Sequence, residues 1–310
     1  MSRSAYVIRR VLLLIPTLLA IYTLTFVLIH ATPGGPWSQG DKPVPPLVLE
    51  RLNAAYGLDK PLWQQYTNYL WNVLHGDFGP SFASRSRTVA DIIGSTFPIS
   101  LKLGLVAMLV AVVVGLTLGV MAAVRHNGPI DFLAGFIAIA GISTPSYVSV
   151  SVLVLIFASH FHLVPTSGWD GVFSTKILIP ATALALYPAA VLARYTRSSM
   201  LDVLNTDYIR TARAKGVSER AVIARHAVRN AMLPVITVGA IILADVITGS
   251  FYVETIYQVP GLGRYFVESI TKRDYPVILG TVLLFGFIVS VMNLIVDLIY
   301  PLFDPRITNK

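Results

Sequence analysis

The sequence predicts an all-α membrane protein with six transmembrane helices and a small helical insertion after the first. Composition is the first indication. Of 310 residues, 55% are hydrophobic and 13% charged, with a mean hydropathy of +0.68, so a water-soluble domain of this length would lack the polar surface to cover itself. The second is segment length: apolar stretches near 9–30, 97–123, 132–158, 177–198, 233–255 and 277–300 can each cross a hydrocarbon layer of about 30 Å as a helix. The third is an uneven distribution of charge between the loops.

Residues 1–30 form the anchor. The first span follows Arg9 and Arg10 and has no A-x-A-like cleavage site before Pro33, so it reads as retained, not as a removed signal peptide. A twin-arginine export signal is the weaker reading, because such pairs commonly just flank a first span. Residues 31–96 form the insertion, broken by Pro33, Pro36, Pro43, Pro45, Pro46 and Pro61 and too short for a ligand-binding domain of ordinary size. Two helices are predicted in it, from Pro46 to Gly57 and from Pro61 to Gly76, with proline at the start and glycine past the end. The second shows Leu62, Tyr66, Tyr69, Leu70, Val73 and Leu74 on one side, plus Trp63 and Trp71. It suits the headgroup layer or the outer ends of the spans, with contact to a substrate-delivering partner as the alternative.

Residues 97–300 carry the other five spans, with a polar loop at 200–232, and 301–310 form a tail. On the second span Gly115 and Gly119, continued by Ala123, give a G-x-x-x-G face for close helix packing, within this chain or with a second subunit. Pro16, Pro145 and Pro188 interrupt spans one, three and four, each freeing a carbonyl; such breaks suit moving or cavity-lining helices. Asp245 is expected near the centre of span five, where an ionised carboxylate costs at least about 2.5 kcal/mol by insertion scales. It can line a translocation path, make a structural hydrogen bond or relay protons. Asp297 lies nearer the end of span six, where arginines of the 200–232 loop can anchor it.

Charge orients the chain. With six spans both termini share a side, and that side carries fourteen cations (Arg3, Arg9, Arg10, Arg125, Arg194, Arg197, Arg210, Arg213, Lys215, Arg220, Arg225, Arg229, Arg306 and Lys310) against five acids. The other side carries nine of each. The positive-inside rule therefore places both termini and the 200–232 loop in the cytoplasm, and topology accounts for the basic balance without nucleic acid.

The loop itself reads as helix, glycine turn, helix. Asp207 in the first turn and Lys215 in the last complement the helix dipole, Gly216 suits a left-handed end, and Ser218 can cap the next helix. Ala212 and Gly216 leave a shallow face rimmed by Arg210, Arg213 and Lys215, fit for a groove in a larger soluble protein. A DNA-binding helix-turn-helix is disfavoured because both flanks enter the membrane within a few residues.

Enzyme signatures are absent. No phosphate-cradling G-x-x-x-x-G-K-[ST], H-E-x-x-H or G-x-S-x-G occurs, and the chain has no cysteine, so no metal site or thiol nucleophile is predicted. Gly141-Ile142-Ser143 faintly suggests an intramembrane serine peptidase. All six histidines, however, map to span ends or loops, leaving no mid-membrane base.

Several stretches carry a resemblance: RRVLLLIPTLL (Arg9 to Leu19), YGLDKPLWQQY (Tyr56 to Tyr66), HGDFGPSF (His75 to Phe82), ARYTRSSMLDVL (Ala193 to Leu204), DYIRTARAKG (Asp207 to Gly216), ETIYQVPGLGRYF (Glu254 to Phe266) and RDYPVILG (Arg273 to Gly280). In this order they make the chain resemble the B-type membrane subunit of the oligopeptide/dipeptide/nickel group of bacterial binding-protein-dependent ABC permeases. The resemblance implies the type I ABC importer permease fold in a bacterial plasma membrane. It implies a heterodimer with a C-type subunit, two cytoplasmic ATPases that bind ATP and Mg, and an extracytoplasmic solute-binding protein, with no cofactor in this chain. The segment Asp207, Arg210, Thr211, Ala212, Arg213, Ala214, Lys215 and Gly216 then corresponds to the ATPase-coupling motif, whose general form is E-A-A, three residues, then G. Here Arg210 replaces the Glu and Thr211 one Ala, which weakens transfer of a specific Glu contact. HGDFGPSF and ITGSFYVETIY are nearer to oligopeptide than to nickel versions; nickel chelates and glutathione are the other cargoes of similar subunits.

Overall fold

The computed structural model describes residues 3–37, 44–84 and 86–303. The first helix, α1 (Arg3–Ala31), continues without a break past Pro16. In the insertion, α2 (Pro46–Tyr56) ends on Gly57 at φ +69° and α3 (Leu62–Leu74) starts after Pro61, matching the expected boundaries. The apolar side of α3 divides. Tyr66, Tyr69 and Leu70 pack on Tyr22, Phe26, Ile278 and Leu279 of the spans, whereas Leu62, Trp63, Trp71 and Leu74 are exposed. The Tyr22 hydroxyl donates to the Tyr66 carbonyl at 2.7 Å, tying the insertion to α1.

Span two is α4 (Val89–Val124), 36 residues, and it begins eight residues before the expected 97. Thr88 and Asp91 cap it reciprocally: the Thr88 hydroxyl accepts from the Asp91 N–H at 3.1 Å and the Asp91 carboxylate accepts from the Thr88 N–H at 2.9 Å. Its extra turns bury Val89 and Ile92 against Val277. At about 1.5 Å per residue the helix is longer than the hydrocarbon layer, so it can extend beyond that layer.

The third span is not one rod. The chain bends by 109° between α5 (Pro129–Ser143) and α6 (Ser146–Leu153), which continues in π-helical turns over Val154–His160. The residue before a proline avoids the helical region, so Thr144 is extended (φ −92°, ψ 117°) and the break is sharper than a kink. Among the described residues five helices are long and apolar enough to cross a membrane, six when this bent pair counts as one span.

The fourth, α7 (Leu178–Leu204), is the central helix. Gly115 and Gly119 of α4 face it: a Cβ on Gly115 would lie 2.7 Å from the Ala189 carbonyl oxygen, and one on Gly119 2.6 Å from that of Ala193. The small-residue face is therefore used within this chain. The loop helix α8 (Asp207–Ala214) follows, then α9 (Glu219–Ala221), which runs through a π turn into α10 (Val228–Ile247). Span five stops at Ile247, short of the expected 255. Gly249, at φ +88°, turns the chain, and the Ser250 hydroxyl accepts from the Val253 N–H to start α11 (Phe251–Tyr257). Helices α12 (Leu262–Thr271) and α13 (Tyr275–Phe303) complete the chain. Asp297 lies on α13 with its side chain outside the described residues, as does most of the 301–310 tail.

Candidate functional site: a basic loop joined to a cavity

The loop helix α8 is pinned on one side and open on the other. Ile209 is fully buried among Met200, Val222, Ala227 and Ala231, and Ala212 packs on the edge of that cluster. Asp207, Arg210, Thr211, Arg213, Ala214, Lys215 and Gly216 are exposed. The expected shallow face is thus shifted: Ala212 turns toward the bundle, and Thr211, Ala214 and Gly216 make the open surface. The turn is as anticipated. The Gly216 N–H donates to the Arg213 carbonyl, that of Val217 donates to Ala212, and Gly216 sits at φ +78° with open space where a Cβ would be. Backbone conformation, not crowding, asks for glycine here. Ser218 takes the N-cap position of α9, but its side chain makes no capping bond; Arg213 instead grips Glu219 through Nε (3.1 Å) and Nη2 (2.7 Å) across the turn.

Two contacts tie this loop to the spans, and a third joins the spans beside it. The Ser199 hydroxyl of α7 donates to the Ala231 carbonyl of α10 at 2.8 Å, and the Asn230 amide of α10 donates to the Tyr208 hydroxyl of α8 at 3.0 Å. Near the same end Arg197 of α7 donates through Nε and Nη2 to both oxygens of Asp131 on α5, at 2.5 and 2.8 Å. Asp131 is buried and also accepts from the Asn127 N–H at 2.9 Å and lies 3.2 Å from His126. The two residues stand 66 apart in sequence, and nothing local marks them as partners.

Between the first half of α7 and the last turns of α10 lies a cavity of about 400 Å3. Thr144 and Pro145 at the break of span three, Tyr187 and Pro188 of α7, Asp245 of α10 and Tyr252 of α11 line it. Pro145 and Pro188 therefore do border a cavity, but only Pro145 breaks its span; α7 runs unbroken through Pro188. Asp245 is exposed toward it and lies two residues from the end of α10, not at mid-span, because the Gly249 turn ends the helix early.

Besides Asp131, two more buried acids escaped the sequence reading. The Asp274 carboxylate, at the foot of α13, accepts from the Ser81 hydroxyl (2.5 Å) and from the Phe82 (3.0 Å) and Ala83 (3.1 Å) N–H groups, clamping HGDFGPSF of the insertion onto RDYPVILG. Glu254 is 0% exposed, between Ser100 of α4 and the start of α12. The clue for Glu254 was three glycines (Gly249, Gly261 and Gly263) close to one acid.

A bent span, a cavity walled by α7, α10 and α11, and a basic loop continuous with two spans thus occur together in this chain. Residues 115–309 match the family described as binding-protein-dependent transport system inner membrane component, and residues 3–104 match the N-terminal family of the same systems. The chain belongs to this permease family. It is 45% identical over 304 residues to the dipeptide transport system permease protein DppB of Bacillus subtilis (strain 168), covering 98% of both chains. It is 41% identical over 302 residues to the oligopeptide transport system permease protein OppB of Escherichia coli (strain K12), covering 97% of this chain and 98% of that one. The fold is also similar to a crystal structure of an amino acid ABC transporter with histidines, with a TM-score of 0.50 at 21% identity, over 69% of this chain and 94% of the other. The permease is thus a multi-pass inner membrane protein of a transport system, not an enzyme.

Proposed function

We propose that this permease forms half of the translocation path of a peptide importer and passes to it the movement of partner ATPases. The continuity between α8 and the cavity carries the reading. An exposed cationic helix is hydrogen-bonded to α10, which is itself bonded to α7, and the first half of α7 and the last turns of α10 wall a polar-rimmed cavity containing Asp245. A push on α8 therefore tilts the cavity walls. The relatives are named for dipeptide and oligopeptide transport, which favours peptides over nickel chelates or glutathione.

In this reading the 200–232 loop and both termini are cytoplasmic. A C-type permease subunit completes the path, two ATPases hold ATP and Mg, and an extracytoplasmic solute-binding protein delivers peptide near the 31–96 insertion. Residues Arg210, Thr211, Ala214, Lys215 and Gly216 meet the ATPase, with Asp207 and Arg213 shaping the helix beneath. Asp245 meets the cationic amino terminus of the passing peptide. The test replaces Ala214, which is exposed, by tryptophan in the reconstituted transporter. Insertion and thermal stability should be unchanged while peptide uptake and its coupled ATP hydrolysis are lost; normal uptake by the variant rejects the docking surface.

A further inference from the structure

The elbow between α10 and α11 forms one wall of the cavity: Gly249, Ser250, Phe251 and Tyr252 all line it. This wall is not part of a span. Helix α11 has seven residues and lies between the end of α10 at Ile247 and the start of α13 at Tyr275. Val253 and Tyr257 of α11 pack in a core with Leu103, Val150 and Ile179, and a buried carboxylate ties the same helix to α4 and α12. The Glu254 carboxylate lies beside the Ser100 hydroxyl of α4, and its Oε2 accepts from the Arg264 N–H of α12 at 3.2 Å. Ser100, itself fully buried, accepts from the Leu262 N–H at 2.8 Å, so the carboxylate and this hydroxyl join three elements. The cage has no spare room. A Cβ on Gly249 would collide with Oε1, one on Gly261 with Oε2, and one on Gly263 would lie 3.0 Å from Oε2.

We propose, building on the transport reading, that Glu254 is the positioning residue of the outer gate: its caged carboxylate holds the α10–α11 elbow against α4 and α12, and the elbow swings when that carboxylate is released to water. The chemistry of the cage supports a latch over a permanent rivet. Oε1 is buried without a hydrogen-bond partner, which leaves the ionised group under-satisfied in the closed elbow. Burial accordingly pushes the Glu254 carboxyl up to about 7. On the neighbouring elements, Arg264 and Glu268 of α12 pair with each other at 2.9 Å, Asp245 of α10 and Tyr187 of α7 line the cavity, Tyr147 of α6 lies against Tyr252 of α11, and Lys102 of α4 is exposed.

The sign follows from linkage. The closed elbow binds the Glu254 proton more tightly than a swung, hydrated one, so protonation favours closure and ionisation favours opening. With full rehydration in the swung state the open fraction rises by up to about tenfold between pH 6 and pH 8.

The chain contains no cysteine, so one can be placed at will. Val253, fully buried in the closed elbow, is replaced by cysteine in the assembled transporter in proteoliposomes, and its labelling by a maleimide is followed by mass spectrometry of this chain. Rates are normalised to Thr67→Cys, an exposed position on α3, which removes the intrinsic pH dependence of the thiol. With Glu254 present, normalised labelling should rise several-fold from pH 6 to pH 8; with Glu254→Gln it should stay at the low-pH rate throughout. The same pH slope in both backgrounds overturns the proposal. Should Glu254→Gln not assemble, Ser100→Ala serves: loss of the bridging hydroxyl should raise labelling at pH 8, and an unchanged rate overturns the proposal equally. Expected labelling in a complex that transports no peptide would leave the latch standing and remove the transport reading; normal uptake with flat labelling would remove only the latch.

Discussion

Replacing Gly119 by alanine separates close helix packing from every other role of that residue. Gly119 of α4 faces Ala193 and Thr196 of α7, and an added Cβ would lie 2.6 Å from the Ala193 carbonyl oxygen and 2.5 Å from the Thr196 Cβ. The carbonyl and the branched carbon cannot step aside alone, so the two helices must part by roughly half an ångström or more, at the cost of about 1–3 kcal/mol typical of overpacking. Against this stands a gain of up to about 1 kcal/mol for exchanging glycine for alanine inside a helix. The net expectation is a loss of about 1–2 kcal/mol. Gly94, on the same helix with nothing within 4 Å of its Cβ position, is the internal control: the same exchange there should be neutral or stabilising by up to about 1 kcal/mol. The assay is reversible denaturant unfolding of the detergent-solubilised permease. Gly115→Ala should resemble Gly119→Ala, and the pair should lose less than the sum, because helices already parted accommodate the second Cβ more easily. Equal stability of Gly119→Ala and Gly94→Ala would refute the packing argument.

Other perturbations test the rest. Arg197→Ala strands a buried Asp131 and should destabilise by up to about 3–5 kcal/mol, lessened because the Arg197 side chain is about a third exposed, while Arg197→Met with Asp131→Leu should recover most of the loss; thermal melts compare them. Asp245→Asn should reduce uptake of peptides with a free amino terminus more than of N-acetylated ones, and an unchanged preference in competition assays removes Asp245 from the path. For Glu254 the folded-state pKa is raised from 4.5 to about 7, so its contribution is most favourable below 4.5 and is lost as pH rises through 7. That loss is worth up to roughly 3 kcal/mol. Glu254→Gln should therefore melt above the parent at pH 8, with the difference closing toward pH 5.

Legibility in the sequence followed range of interaction. The ends of α2 and α3 were readable because proline and glycine act on their own backbone, and the Gly216 turn for the same reason. The early stop of α10 was not, since Val246 and Ile247 continue an apolar run and hydropathy does not register a turn at Gly249. The split face of α3 was likewise hidden. Periodicity groups Leu62 and Leu74 with Tyr66 and Leu70, but only the placement of α1 and α13 decides which of them is covered.

The sequence by itself determined the solvent, the apolar segments able to cross it and the segment between Asp207 and Gly216 that stays polar. These are sums over neighbouring residues, and a bilayer and a helix both read such sums. Tertiary structure alone decided that Arg197 seizes Asp131 and that Asp274 clamps the insertion. It also decided that Glu254 is sealed among three glycines beside the cavity. Each of these pairings joins groups brought together by packing across elements, and burial makes the pairing obligatory only after the helices have met.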